Sequence, residues 1–90
     1  MEIEFDPVKD AANREKHGVS LARVGELEIF AVIEKSRPLE EGERRFRIYG
    51  LLKGAAYCAV LTWREGAARA ISLRKANRME RKRHGLEVGN

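Results

Sequence analysis

Three apolar stretches separated by short glycine turns constrain this chain more than any other feature. Arg44 to Leu52 alternates: Phe46, Ile48, Gly50 and Leu52 fall on one side, and Arg45, Arg47, Tyr49 and Leu51 on the other. That period of two is the pattern of a strand. Lys53-Gly54 follows as a tight turn and leads into Ala56 to Arg64, the most apolar stretch of the chain. Its lack of alternation predicts a central strand buried on both faces. Glu65-Gly66 makes the next turn, into Ala68 to Arg74. Consecutive strands joined in this way predict an antiparallel meander.

The first half of the chain reads differently. Ile3 and Phe5 predict a short opening strand. Asp6-Pro7 predicts a helix start, because the Asp carboxylate accepts a free backbone N–H and Pro at the first helical position gives up no needed donor. This helix is expected over Pro7 to His17, with Val8, Ala11, Ala12 and Glu15 along its inner stripe and Gly18 as its stop. Ser20 predicts the cap of a second helix that buries Leu21, Val24 and Leu27, with Glu28 or Ala31 continuing the stripe. Ile29 to Ile33 marks the change to a strand, and Ser36 to Glu43, with Pro38 and Gly42, reads as a polar loop. A last helix is expected from Lys75 to His84, packed by Ala76 and Met79 and ended by Gly85. The order is β-α-α-β-β-β-β-α. It predicts a single α+β domain over residues 1–90, with helices packed on a curved antiparallel sheet.

Charge is distributed unevenly over this framework. Residues 69–84 carry seven Lys/Arg (Arg69, Arg74, Lys75, Arg78, Arg81, Lys82, Arg83) against one acid, Glu80, a net of +6. The whole chain is +4, so the rest sums to −2. A local cationic end points to a polyanion or an acidic protein as partner; a solvated helix face is the plainer reading. The single cysteine, Cys58, rules out an internal disulfide and a multi-cysteine metal site, and reads as a small buried hydrophobe. His17, His84 and Cys58 have no metal-ligand spacing, so no metal and no cofactor are expected. The longest uncharged run, Gly54 to Trp63, is too short to span a membrane, and the acidic start MEIEFDP is unlike a signal peptide. A cytoplasmic location is expected.

The segments FDPVKDAANREKHGVSL, ERRFRIYG and RAISLRKANRMERKRH together resemble the BrnT family of bacterial toxins, across Phe5 to His84. The specific parts are the runs DPxKxxxNxxKHGxS and RxISxRKA. The resemblance implies a RelE-like fold and a ribonuclease toxin that inhibits translation. It also implies a partner: a BrnA-like ribbon-helix-helix antitoxin that neutralises the toxin and binds operator DNA. Contact with that DNA is expected only through the antitoxin, and a dimeric antitoxin implies a heterotetramer.

A metal-free ribonuclease must take a proton from the 2′-hydroxyl, stabilise the charge gathering on phosphorus, and protonate the leaving oxygen. Arginine suits the second task through its planar, permanently charged fork. The catalytic candidates are therefore Arg64, Arg74 and Lys75 around a phosphate, with Ser72 as hydrogen-bond donor. Arg74 and Arg64 ending their strands in pairs with Glu80 and Glu65 is the structural alternative. The RNA-binding candidates are Arg69, Arg78, Arg81 and Lys82, with Trp63 stacking on a base. His17 and His84 each precede a glycine at a helix end, which helix electrostatics explains without catalysis. The competing function is a non-catalytic, antitoxin-binding module that acts as a transcriptional corepressor, and a third is a plain nucleic-acid binder.

Overall fold

The computed structural model describes residues 2–34 and 44–86. The predicted loop over Ser36 to Glu43 lies outside the described residues. The elements are β1 (Glu4–Phe5), α1 (Pro7–His17), a 3₁₀ segment (Leu21–Glu26), β2 (Glu28–Glu34), β3 (Arg44–Leu52), β4 (Ala55–Arg64), β5 (Ala67–Lys75) and α2 (Arg78–Arg83). They form one five-stranded sheet in the order β1-β5-β4-β3-β2, with β4 at its centre. The predicted meander is present. Both of its turns are two-residue turns with positive φ throughout: Lys53 at 49° and Gly54 at 80°, Glu65 at 52° and Gly66 at 79°. That geometry matches the right-handed twist of the flanking strands.

The sheet is mixed rather than wholly antiparallel, because β1 pairs parallel to β5 through Glu4↔Arg69 and Phe5↔Ala70. The predicted second helix is a 3₁₀ segment. Its buried residues Leu21 and Val24, followed by Leu27, recur every third position, which is the 3₁₀ repeat. They cover one face of the sheet, here the 3₁₀ face, against Ile48, Leu52, Ala59, Leu61, Ala70 and Leu73. Tyr49, Ala56 and Cys58 point to the other face and pack with Ala76 and Leu86 from the α2 region. Gly50 sits where β2 crosses closest: a Cβ there would lie 2.5 Å from the Glu28 carbonyl oxygen.

Helix α1 has the predicted bounds. Asp6 accepts from Val8 N (2.8 Å), and Gly18 closes the helix at φ 72°. Its inner stripe is not the predicted one. Val8 is 76% exposed, Ala11 and Ala12 are exposed, and Asn13 is the residue it buries. The reason is position: α1 lies along the edge of β5, not over an apolar face. Asn13 Nδ2 donates to Leu73 O (2.9 Å) and to Val19 O (2.9 Å), while Leu73 N donates to Asn13 Oδ1 (3.1 Å). One amide side chain thus pairs with the strand edge as a neighbouring strand would, beyond the point where β1 stops. Asp10 ties the next segment down by accepting from Ser20 Oγ (2.9 Å) and Leu21 N (2.8 Å).

The last helix begins at Arg78, three residues later than predicted. Lys75 still belongs to β5, and Asn77 caps the helix in a reciprocal box: Glu80 N donates to Asn77 Oδ1 (2.8 Å) and Asn77 N to Glu80 Oε1 (2.9 Å). Met79, expected to pack, is 70% exposed, and Glu80 is the buried residue of the helix.

Candidate nucleic-acid interface

The strand register decides which candidate residues can meet. On the α2 face, three cross-strand rows run Arg45·Thr62·Arg69, Arg47·Val60·Ser72 and Tyr49·Cys58·Arg74. Ser72 and Arg74 share this face, as the sequence predicts. Lys75 pairs with Tyr57 in the alternate register and belongs to the opposite face. Arg64 pairs with Ala67 at the far end of the hairpin. At about 3.3 Å per residue, its backbone is roughly 20 Å along the strand from Arg74. The expected convergence of Arg64, Arg74 and Lys75 on one phosphate is therefore corrected: the strands hold them apart. Trp63 faces the 3₁₀ side, 51% exposed.

Arg74 is held by a carboxylate. Its Nη1 donates to Glu80 Oε1 (2.7 Å) and its Nη2 to Glu80 Oε2 (2.9 Å), and Tyr49 OH donates to the same Oε2 (2.9 Å). These Arg74 hydrogen bonds hold the Glu80 carboxyl down at about 2, against the opposing effect of burial. The same pairing raises the Arg74 guanidinium above its ordinary range. Burial, reinforced by the bond to Glu80, pushes the Tyr49 hydroxyl up to about 12, and burial also raises the Cys58 thiol. None of these groups is set up to move a proton at neutral pH. His84 follows α2 and stacks on the Tyr49 ring, centroids 4.2 Å apart. Arg81 Nη1 donates to Ala76 O (2.8 Å), while Arg78 and Lys82 are exposed on α2. The strand-to-helix junction is thus a structural clamp that fixes α2 to the sheet.

A different cationic surface forms where α1 meets the edge of β5. A cleft of about 280 Å³ is lined by Lys9, Ala12, Asn13, Lys16 and His17 from α1 and by Ile71 and Ser72 from β5. A smaller hollow of about 70 Å³ adjoins it, lined by Asp6, Lys9, Arg45, Thr62, Arg69, Ala70 and Ile71. Lys9 and Ile71 line both. Ile71 is the extra residue of a β-bulge, since Val60 pairs with Ser72 and Leu61 with Ala70. Bulges re-aim side chains at sheet edges. Here the bulge lies between the two hollows and separates Arg69 from Ser72.

Two of the predicted site residues, Ser72 and Arg69, therefore belong to this surface. Lys9, Lys16, His17 and Arg45, which also line it, were not predicted. The helix repeat carried a signal for two of them, Lys9 and Lys16. Positions 9, 13 and 16 follow the i, i+4, i+7 spacing of one helical face, and the KxxxNxxK run falls on it. Arg45 and Arg47 stand on the polar side of an alternating strand. Arg47 is half-buried beside the Tyr49 hydroxyl, whose pKa it lowers.

A family model described as ribonuclease toxin, BrnT, of type II toxin-antitoxin system matches residues 5–80. No curated protein and no solved structure matches the chain significantly. The family match begins at the strand that opens the sheet and ends at the glutamate that clamps α2. It takes in α1, the bulged strand and every residue of the cleft, and on it the chain belongs to the BrnT family of ribonuclease toxins of type II toxin–antitoxin systems.

Proposed function

We propose that this toxin is a metal-independent endoribonuclease whose phosphate site is the cleft between α1 and β5. One observation carries the reading: Ser72, on the bulged edge of β5, shares a cleft with Lys9, Lys16 and His17. Single-stranded RNA enters along the cationic edge. Lys9, Lys16 and Arg69 neutralise its phosphates, and Arg45 extends the surface over the sheet. The 2′-oxygen attacks the adjacent phosphorus as its proton is removed. The bond to the 5′-oxygen then breaks, the leaving oxygen takes up a proton, and a 2′,3′-cyclic phosphate remains. RNA brings its own nucleophile, so the protein needs only cations and a proton carrier. Ser72 donates to a non-bridging oxygen, and His17 exchanges the proton, one ring nitrogen accepting while the other donates. Arg74 acts through the fold, by holding Glu80.

A type II toxin is paired with an antitoxin, and the family places this chain in such a pair. We take that partner to be a ribbon-helix-helix protein whose dimer brings two toxin copies together and contacts operator DNA. Loss of mRNA through cleavage is how the toxin stops translation. Among the described residues no helix is long and apolar enough to cross a membrane.

The test is cleavage of a mixed mRNA pool by the purified chain in EDTA. Products are expected to end in 2′,3′-cyclic phosphates, and a 2′-deoxy substitution at the cut nucleotide should block the cut. His17→Gln is expected to lower kcat by about a hundredfold, the usual size of a lost proton carrier, and Ser72→Ala by less. Undiminished cleavage by both His17→Gln and Lys9→Ala variants would move the site elsewhere. Intact RNA combined with operator binding alongside the antitoxin would establish the corepressor reading instead.

A further inference from the structure

We infer that the apolar groove on the 3₁₀ face, with the outer edge of β2, seats an extended antitoxin segment, apolar at its centre and flanked by Lys or Arg. The inference rests on the reading of this chain as an antitoxin-bound toxin.

The groove has a volume of about 260 Å³ and is walled by Ile29, Val32, Phe46, Leu61, Trp63 and Ala68. It lies beyond the part of this face that the 3₁₀ segment covers. Of the groove residues, Val32 is 56% exposed and Trp63 51%, and β2 also exposes Phe30 at its bulge (58%). A contiguous apolar surface of this kind marks an interaction site more often than a solvated one. β2 closes the sheet order, and among the described residues no strand pairs with its outer edge. An apolar edge strand offers unpaired backbone groups to any chain that can lie beside it.

Charge selects the occupant. β2 begins on Glu28, just after Glu26, and ends on Glu34. Glu26 and Glu28 are exposed at the start of β2, so a segment that sets an acid opposite them is disfavoured. Like charges placed directly opposite destabilise a strand pair. A segment with basic residues at its ends meets the same positions favourably. RNA is disfavoured as well: the groove is apolar, and it runs on into a hollow lined by Glu2, Glu4, Trp63, Gly66, Ala67 and Ala68. Arg44 is already engaged with the groove wall, 5.8 Å from the Phe46 ring centroid. Trp63, which the sequence suggested as a stacking platform for a base, is on this account an anchor for protein.

The experiment measures affinity of the full toxin chain for the antitoxin encoded beside it, by calorimetry, in wild type, Val32→Lys, Trp63→Ala and Lys9→Ala. Both groove positions are exposed, so the variants should keep the wild-type melting temperature. Val32→Lys and Trp63→Ala are each expected to weaken antitoxin binding by about thirtyfold, as for an interface anchor, and to leave RNA cleavage unchanged. Lys9→Ala should do the reverse. Hydrogen exchange of the amides of Glu28–Glu34 should slow on complex formation. Wild-type antitoxin affinity in both groove variants, with no new protection in β2, would overturn the inference alone. Loss of RNA affinity in Trp63→Ala would reassign the groove to RNA. Sedimentation of the wild-type chain as a dimer that Val32→Lys dissociates would reassign it to a second copy. Failure of the antitoxin to bind wild type at all would remove the underlying reading too.

Discussion

Two regions of this protein are rich in cations, and they use them in opposite ways. The strand-to-helix junction at the C-terminal end has the denser charge, yet its central arginine is doubly hydrogen-bonded to Glu80 and Arg81 is turned onto the Ala76 carbonyl. The α1–β5 edge has fewer cations, gathered from positions 9, 16, 45 and 69, and among the described residues no ion pair holds Lys9, Lys16 or Arg69. Charge density along a sequence therefore says little about charge available to a ligand. An arginine with a buried carboxylate in reach stabilises the fold. A lysine beside a strand edge without such a partner remains available to an anion.

The sharpest way to break this contrast is to remove what holds the cleft together. Asn13→Ala would strip partners from Leu73 N, Leu73 O and Val19 O. Leaving buried backbone groups unsatisfied costs about 1–3 kcal/mol each where water cannot reach them. With partial rehydration, a loss of about 3 kcal/mol is expected, or roughly 15 °C in Tm for a domain of this size, measured by thermal and urea denaturation. Asn13→Asp keeps the acceptor for Leu73 N but sets a carboxylate against two carbonyl oxygens, so it should rescue little. A variant that melted like wild type would show that α1 is not fastened to β5 through this side chain.

The same residue shows where the sequence was legible and where it was not. Helix α1 was readable to its last residue because its signals are local: Asp6 and Pro7 at one end and Gly18 at the other. The bounds of β3 were equally plain, since alternation and a glycine turn are properties of adjacent residues. Asn13 bonds to a residue 60 positions away, and no local pattern announces that. Its burial turned the helix so that Val8 and Ala11 face water, which reversed the predicted stripe. The start of α2 was misplaced although a local signal was present: Asn77 followed three residues later by Glu80 is a capping-box spacing. The cleft joins Lys9, Lys16 and His17 to Ser72, more than 50 positions on. It depends on the edge contact that Asn13 makes, so a reading that missed one missed the other.

A second, smaller effect tests the clamp. Glu80 has a folded-state pKa of about 2 against an ordinary value of 4.5. The folded value is depressed, so its contribution is fully present above pH 4.5 and is lost as pH falls toward 2. The carboxylate is 6% exposed but Arg74 is partly open to solvent, and a contribution of about 2 kcal/mol at neutral pH is expected after screening. Glu80→Gln should remove most of that at pH 7, and flatten the acid limb of a stability curve taken by urea denaturation between pH 6 and 2.5. It should leave the affinity of the α1–β5 edge for RNA near wild type. A parallel loss of RNA affinity would mean that the clamp shapes the cleft and that the two regions act as one.

The smallest effect discriminates most directly between the regions. Each single-strand phosphate neutralised by a cation adds about 0.7 to the slope of log affinity against log salt. If Lys9 meets a phosphate in the cleft, Lys9→Ala should lower that slope by about 0.7, and Lys16→Ala by a similar amount. Arg78 is exposed at the start of α2, away from the cleft lining, and Arg78→Ala should leave the slope unchanged while slightly weakening binding at low salt through the long-range field. Equal changes at Lys9 and Arg78 would mean that RNA spans both regions. A change at Arg78 alone would return the binding surface to the C-terminal helix, where the sequence's charge first placed it. The measurement separates these outcomes because a slope counts phosphates, whereas a single affinity mixes contacts with field.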